Sequence, residues 1–341
     1  MKHSNVAIFV PHNGCPHACS FCDQKEITGQ AVQPSARDVI RAVDTARQSL
    51  GENTRNAEIA FFGGSFTAIE RSYMKGLLDA ASPYVKSGEF AGIRLSTRPD
   101  AIDTEVLDIL KESGVTSVEL GAQSMSDEVL EANHRGHTAQ DVVNASELIK
   151  SYGFSLGLQM MTGLYRSSEE TDFYTAERLA ELAPDTVRIY PTVVLNGTVL
   201  GELYKKGEYQ PQTLEQAVKA CAGLLRFFEE KGISVIRLGL HDSGSLRENM
   251  LAGAYHPAFR ELCESEIMYD NALEEIKKNK IFRGAAELFI NPSSVSRFIG
   301  QKRANLIRLQ KLGITAIVRQ DSRLSKYEVR CAVQVPPDKR R

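Results

Sequence analysis

The chain has 341 residues, 42% of them apolar and 25% charged, with a formal net charge of −2. These are the proportions of a globular protein that buries a core, and they exclude a low-complexity chain or a uniformly basic or acidic one. No apolar run is long enough to cross a bilayer, and the start, MKHSNVAIFVPH, is too weakly apolar for a signal sequence. A cytoplasmic, reducing location is therefore expected, with no membrane partner, and the six cysteines are not expected to form disulfides.

In chain order, short apolar runs alternate with amphipathic stretches. VAIFV (6–10), AEIAFF (57–62), GIRLS (92–96), VTSVEL (115–120), FSLGLQMM (154–161) and TVRIY (186–190) read as buried strands. Helical patterns fall between them at roughly 35–50, 68–85, 103–113, 126–133, 138–152 and 168–183, with Asp103 and Thr138 as starters. Such alternation predicts parallel strands with helical crossovers, in a doubly wound sheet or a TIM-type barrel. In both, ligands gather at the C-terminal ends of the strands. Here unusual residues follow every strand: the cysteines, GGSF, STRPD, GAQS, MMTG and YPT. That distribution favours the barrel.

After residue 192 the rhythm changes, with a loop-rich stretch, a helix at 213–231, a strand at 234–240 and a helical region from His256. The expected fold class is α/β, an incomplete (β/α)6 TIM-type barrel with a small α+β C-terminal domain. The expected domains are a core barrel at 1–210, a helical extension at 211–280 and a basic segment at 281–341. That last segment holds 13 Lys and Arg against 4 Asp and Glu, which points to a polyanion.

The sharpest local signal is PHNGCPHACSFCDQK, with Cys15, Cys19 and Cys22 in one loop. Three thiolates at this spacing can wrap three corners of a [4Fe–4S] cubane and leave the fourth iron open. The rival is zinc completed by His12 or His17. Cys221 lies in an apolar helical pattern and reads as a small buried thiol, while Cys263 and Cys331 stand alone.

The spacing, with Phe21 before the last cysteine and the loop following a first strand, resembles the radical S-adenosylmethionine (SAM) superfamily. The resemblance implies that the amino and carboxylate groups of SAM chelate the open iron and that Phe21 lies against the adenine. It also implies reductive cleavage of SAM to a 5′-deoxyadenosyl radical for hydrogen abstraction, with an electron donor such as flavodoxin or ferredoxin. Gly63, Gly64 and Ser65 are similar to the superfamily's glycine-rich SAM motif. Ser96 and Thr97 suit polar contacts, Glu119 and Gln123 suit ribose hydroxyls, and Arg135 suits the SAM carboxylate.

STRPDAID, VELGAQS, NHRGHT, LGLQMMTGL and YPTVVLNGTVLGELYKKGEY, in that order, resemble the radical SAM domain of the Elongator catalytic subunit over about residues 5–210. HPAFRELCES (256–265) is similar to its C-terminal extension. There are two departures: the cysteines are closer together than in those relatives, and no stretch is long enough for their acetyltransferase-type domain. The resemblance implies an enzyme of RNA modification, with tRNA as partner. The alternatives are a radical SAM enzyme acting on a small molecule or peptide, and a non-catalytic iron–sulfur or zinc RNA-binding protein. Residues 287–320 predict strand, helix, turn, helix, strand, an order that resembles the KH core. The resemblance implies RNA contacts at Gly300, Lys302 and Arg303 of the turn Gly300-Gln301-Lys302-Arg303.

Overall fold

The structure, a computed structural model, describes residues 4–11, 19–22, 32–241 and 244–332. Cys15, His12 and His17 lie outside the described residues. The chain folds as two compact units, residues 1–217 with 228–257, and residues 218–227 with 258–341.

The first unit is built on strands β1 (Ser4–Val10), β2 (Ala57–Gly63), β3 (Gly92–Thr97), β4 (Val115–Gln123), β5 (Ser155–Thr162) and β6 (Thr186–Pro191). A short strand, β7 (Val193–Leu195), follows β6, and β8 (Ser234–Leu238) joins the main sheet beside β6. The sheet therefore has seven strands, one more than the six predicted, in the order β1-β2-β3-β4-β5-β6-β8. All six pairings are parallel. β1 and β8 are its two edges, so the barrel is open. β9 (Met250–Gly253) pairs antiparallel with β7 in a separate ribbon.

Helices supply the crossovers: α1 (Ala36–Leu50), α2 (Arg71–Lys86), α3 (Thr104–Glu112), α4 (Asp127–Ala132), α5 (Ala139–Ser151) and α6 (Glu169–Glu181). Their starts follow local chemistry. The Asp103 carboxylate accepts from the Val106 N–H at 2.7 Å, and Thr138 forms a capping box with Asp141. Each such cap satisfies an amide that the helix leaves unpaired and is worth about 1 kcal/mol. Apolar helix faces, such as Val106, Leu107 and Leu110 of α3, are buried, as are strand residues such as Ile93, Leu95, Val118 and Leu120. Three further helices, α7 (Val199–Lys205), α8 (Leu214–Glu230) and α9 (Gly244–Asn249), follow.

The second unit takes residues 218–227 of α8 and continues with α10 (Phe259–Lys278). Then come β10 (Gly284–Ile290), α11 (Val295–Ile299), α12 (Ala304–Lys311), β11 (Ile314–Gln320) and β12 (Val329–Ala332). β10 is the central strand, parallel to β11 and antiparallel to β12. Its core includes Leu288, Ile290, Phe298 and Leu309. Cys221 and Cys263 are both fully buried in this unit, and burial pushes the Cys263 thiol upward. Among the described residues, no helix is long and apolar enough to cross a membrane.

Candidate active site

The C-terminal ends of β1–β5 carry the residues that the sequence singled out. Val10 ends β1 and Gly63 ends β2, and the two strands are paired at that position. A Cβ on Gly63 would lie 2.8 Å from the Val10 carbonyl oxygen, and its φ is +119°, so only glycine suits this close approach. Gly64 donates from its N–H to that same oxygen at 3.0 Å, and Ser65 is buried just beyond.

Residues 19–22 lie at this end of the sheet, where one guanidinium reaches both Cys19 and Gly121. The N–H of Cys22 donates to the Cys19 carbonyl at 3.2 Å, so the two thiols share one turn. Ser20 between them donates its N–H to the Asn133 carbonyl at 3.1 Å and its Oγ to Asn133 Oδ1 at 2.7 Å. Leu200, in α7, donates its N–H to the Ser20 carbonyl at 2.7 Å. Cys19 and Phe21 are buried in an apolar cluster with Val129, Leu164, Val194, Leu200 and Tyr209.

The NHRGHT segment, 133–138, is the frame for that loop. Asn133 is fully buried, and its amide nitrogen donates to the carbonyls of Val129 and Tyr165, each at 2.8 Å. Arg135 donates from Nη1 to the Cys19 sulfur at 3.0 Å and from Nη2 to the Gly121 carbonyl at 2.7 Å. Its Nε is buried with no partner, as is Oε1 of Gln123. Gln123 ends β4 in a left-handed conformation, φ 64°, beside a register shift in the β4–β5 pairing. The Gln123 amide and the Arg135 guanidinium both flank Gly121. Arg98 is held by Asp100 at 2.8 and 3.0 Å and donates to the Arg135 carbonyl. His137 places Nε2 3.2 Å from the Ala122 carbonyl, and burial and the Arg135 charge push its pKa down to about 4, leaving the ring neutral.

Glu119 has a different setting. Its side chain is 1% exposed, and its carboxylate accepts from Arg94 Nη1 at 2.9 Å, Arg188 Nε at 2.5 Å, Arg188 Nη2 at 2.9 Å and Gln159 Nε2 at 3.1 Å. Arg94 also donates to Glu58 at 2.7 Å, closing a row of two acids and two bases across β2, β3, β4 and β6. Gly157, opposite Glu119 in β5, leaves room for it, since a Cβ there would lie 2.7 Å from Glu119 Cγ. Charges this deep are stable only when paired. Thr97 is likewise engaged, its hydroxyl 2.6 Å from that of Thr67, and Ser96 accepts from Gln159 at 3.3 Å.

The structure thus brings Cys19, Phe21, Gln123 and Arg135 together, sets Gly63–Ser65 at the neighbouring strand end, and ties Glu119 into an ion row. Sequence reasoning missed Ser20, Asn133 and Thr67. NHRGHT was the available signal for Asn133, but its target lies 113 residues earlier. Two cysteines in one turn, one of them under a guanidinium, are a donor set that suits thiolate ligation of iron.

Residues 9–200 match the Radical SAM superfamily, and residues 184–269 match the Radical_SAM C-terminal domain. A tRNA uridine(34) acetyltransferase of Dehalococcoides mccartyi is 28% identical over 239 residues, 60% of this chain and 52% of that protein. The protein of that name from Methanocaldococcus jannaschii is 32% identical over 255 residues, 63% of this chain and 47% of its own. The chain spans about half the length of these curated relatives. In fold it is similar to the archaeal Elp3 of Methanocaldococcus infernus, with a TM-score of 0.62 at 22% identity, covering 82% of this chain and 63% of that one. These are the Elongator-type relatives to which the ordered motifs point. With 9–200 matched, the chain belongs to the radical SAM superfamily, whose members bind a [4Fe–4S] cluster and SAM.

Proposed function

We infer that this chain is a radical SAM enzyme that modifies RNA, with tRNA as its substrate class. The observation that carries the reading is its 32% identity over 255 residues to a relative named for tRNA uridine 34. Cys19 and Cys22, with Cys15 outside the described residues, would hold the cluster. When bound, that cluster supplies the electron for reductive cleavage of SAM and so the radical that removes hydrogen from a substrate.

The chain's own residues have the complementary tasks. Asn133 and Leu200 fix Ser20 and thereby hold the cysteine turn in place. Arg135 sets positive charge against the Cys19 sulfur. Its unpaired Nε and the Gln123 carbonyl oxygen supply one donor and one acceptor for a polar ligand beside Gly121. Gly63, Gly64, Ser65, Ser96 and Thr97 line the adjacent strand ends as further SAM contacts, and Phe21 offers an apolar ring. Glu119, held by four donors, acts through the Arg188 and Gln159 side chains it positions.

In the second unit, Gly300, Lys302 and Arg303 form the RNA-contacting turn. Gly300 has φ 74°, and Lys302 and Arg303 are exposed, with φ 52° and 64°. Arg303 adopts the left-handed shape that the second glycine of a GxxG loop would take, and adds a cation for phosphate.

Mass spectrometry of tRNA nucleosides from cells with and without the gene tests the reading. Loss of one modified nucleoside, restored by the parent gene but not by a Cys19→Ala copy, is the expected result. An unchanged nucleoside profile would remove RNA as the substrate.

A further inference from the structure

The second unit carries another surface that the cysteine site and the 300–303 turn do not use. Phe282 is 77% exposed, the most exposed aromatic ring among the described residues. Leu312 is 51% exposed. The two segments are neighbours: Gly284 donates its N–H to the Gly313 carbonyl at 2.9 Å, and a Cβ on Gly313 would lie 3.3 Å from Arg283 Cγ. Ile281 packs into the core, so the chain turns Phe282 outward. The two segments that meet here carry Lys277, Lys280, Arg283 and Lys311, with no acid between residues 276 and 284. None of these four cations forms an ion pair among the described residues.

Lysines at helix C-terminal ends are what the helix dipole favours, so Lys277 and Lys311 alone say little. A large apolar ring exposed among unpaired cations is different. It costs solvation in the free protein, and it matches a ligand that is both anionic and planar. That combination is the chemistry of single-stranded nucleic acid, where aromatic side chains stack on bases and cations follow the backbone. A protein partner of acidic character would meet the cations but has no need of the ring.

We propose that the tip formed by residues 277–283 and 311–312 is a second RNA contact. In it Phe282 stacks on an unpaired base while Lys277, Lys280, Arg283 and Lys311 hold the flanking phosphates. It rests on the reading of RNA as substrate. The tip lies at the C-terminal end of α12 and the 300–303 turn at its N-terminal end. Eight residues of helix separate them by about 12 Å, short enough for one strand to touch both.

The chain has no tryptophan, so Phe282→Trp installs a single fluorescent reporter at the tip. The full-length protein is titrated with a mixed-sequence single-stranded oligoribonucleotide, with the same RNA as a duplex, and with heparin. Saturable quenching by the single strand, weak with the duplex and absent with heparin, is expected. Phe282→Ala should weaken binding of the single strand about tenfold or more, with no change in melting temperature, and Phe282→Tyr should restore it. Replacing Lys280 and Arg283 by Ala should flatten the salt slope by just under two. Equal quenching by heparin or duplex would overturn the stacking. RNA binding that is unaffected by Phe282→Ala, with an unquenched Trp reporter, would overturn the site and leave the substrate reading standing. No RNA binding at all would remove both.

Discussion

Asn133 grips Ser20 twice, once through its carbonyl at 3.1 Å and once through its side-chain oxygen at 2.7 Å, across 113 residues of sequence. The gripped residue lies between Cys19 and Cys22, so the position of that turn depends on a buried amide far away. Asn133→Ala removes the side-chain bond and leaves the Ser20 hydroxyl buried, at a cost of about 1–3 kcal/mol. The expected outcome is a folded protein that takes up clearly less iron on anaerobic reconstitution. Full iron content in a normally folded variant would show that the clamp is dispensable.

Arg135 touches the Cys19 sulfur itself. Groups that support a metal ligand from behind typically contribute about 10–100-fold to metal affinity. Arg135→Ala should therefore release iron to a chelator faster by a factor of that order, while Arg135→Lys, which keeps the charge and loses the two-pronged contact, should fall between. Circular dichroism should stay unchanged. Release at the parent rate would contradict the role.

Glu119→Ala would leave Arg94 and Arg188 facing each other without the carboxylate between them. Breaking a buried pair in this way costs about 3–5 kcal/mol. Urea denaturation should show a loss of that size. Glu119→Gln, which keeps the shape, should also destabilise because Arg188 loses its carboxylate and Arg94 is left with Glu58 alone.

Asp172, in α6, accepts from the Gly163 N–H at 2.9 Å, and its carboxyl is raised from 3.8 to about 7. Burial is the main cause, with Glu169 adding repulsion, against the Gly163 N–H, which favours the charge. The folded protein keeps a proton that the unfolded chain releases above its ordinary value. Stability therefore falls as pH rises between about 4 and 7. Asp172→Asn removes this term, so melting should match the parent near pH 4 and exceed it near pH 8, by up to about 4 kcal/mol. A gap that does not widen with pH would refute the assignment.

Arg303 holds a left-handed backbone with a side chain that disfavours it. Arg303→Gly should raise stability by roughly 1 kcal/mol and at the same time weaken RNA binding. Thermal melting and a salt titration of tRNA binding check the two halves separately.

The strands were legible because their cause is local: six apolar runs and helix starters such as Asp103 and Thr138 announce themselves in a few residues. β8 was read as a strand, but its place beside β6 depends on pairing Thr186 with Ser234, which periodicity does not encode. At the site, residue types and strand-end positions could be read and partners could not. Glu119 has the chemistry of a ligand contact, yet Arg94 and Arg188, one and two strands away, occupy its carboxylate. Arg135 was noticed as a cation for a carboxylate, while its contact to Cys19 joins residues 116 apart.

The row formed by Glu58, Arg94, Glu119 and Arg188 also constrains how such a sequence can change over generations. Each member takes its counter-charge from another strand, so a lone exchange at Arg94 or Glu119, the two inner members, takes a counter-charge from both neighbours at once. Neutral drift one residue at a time is blocked there, and a lineage can replace the set only through paired, compensating steps. The four positions are therefore expected to be inherited together, as one linked character rather than four.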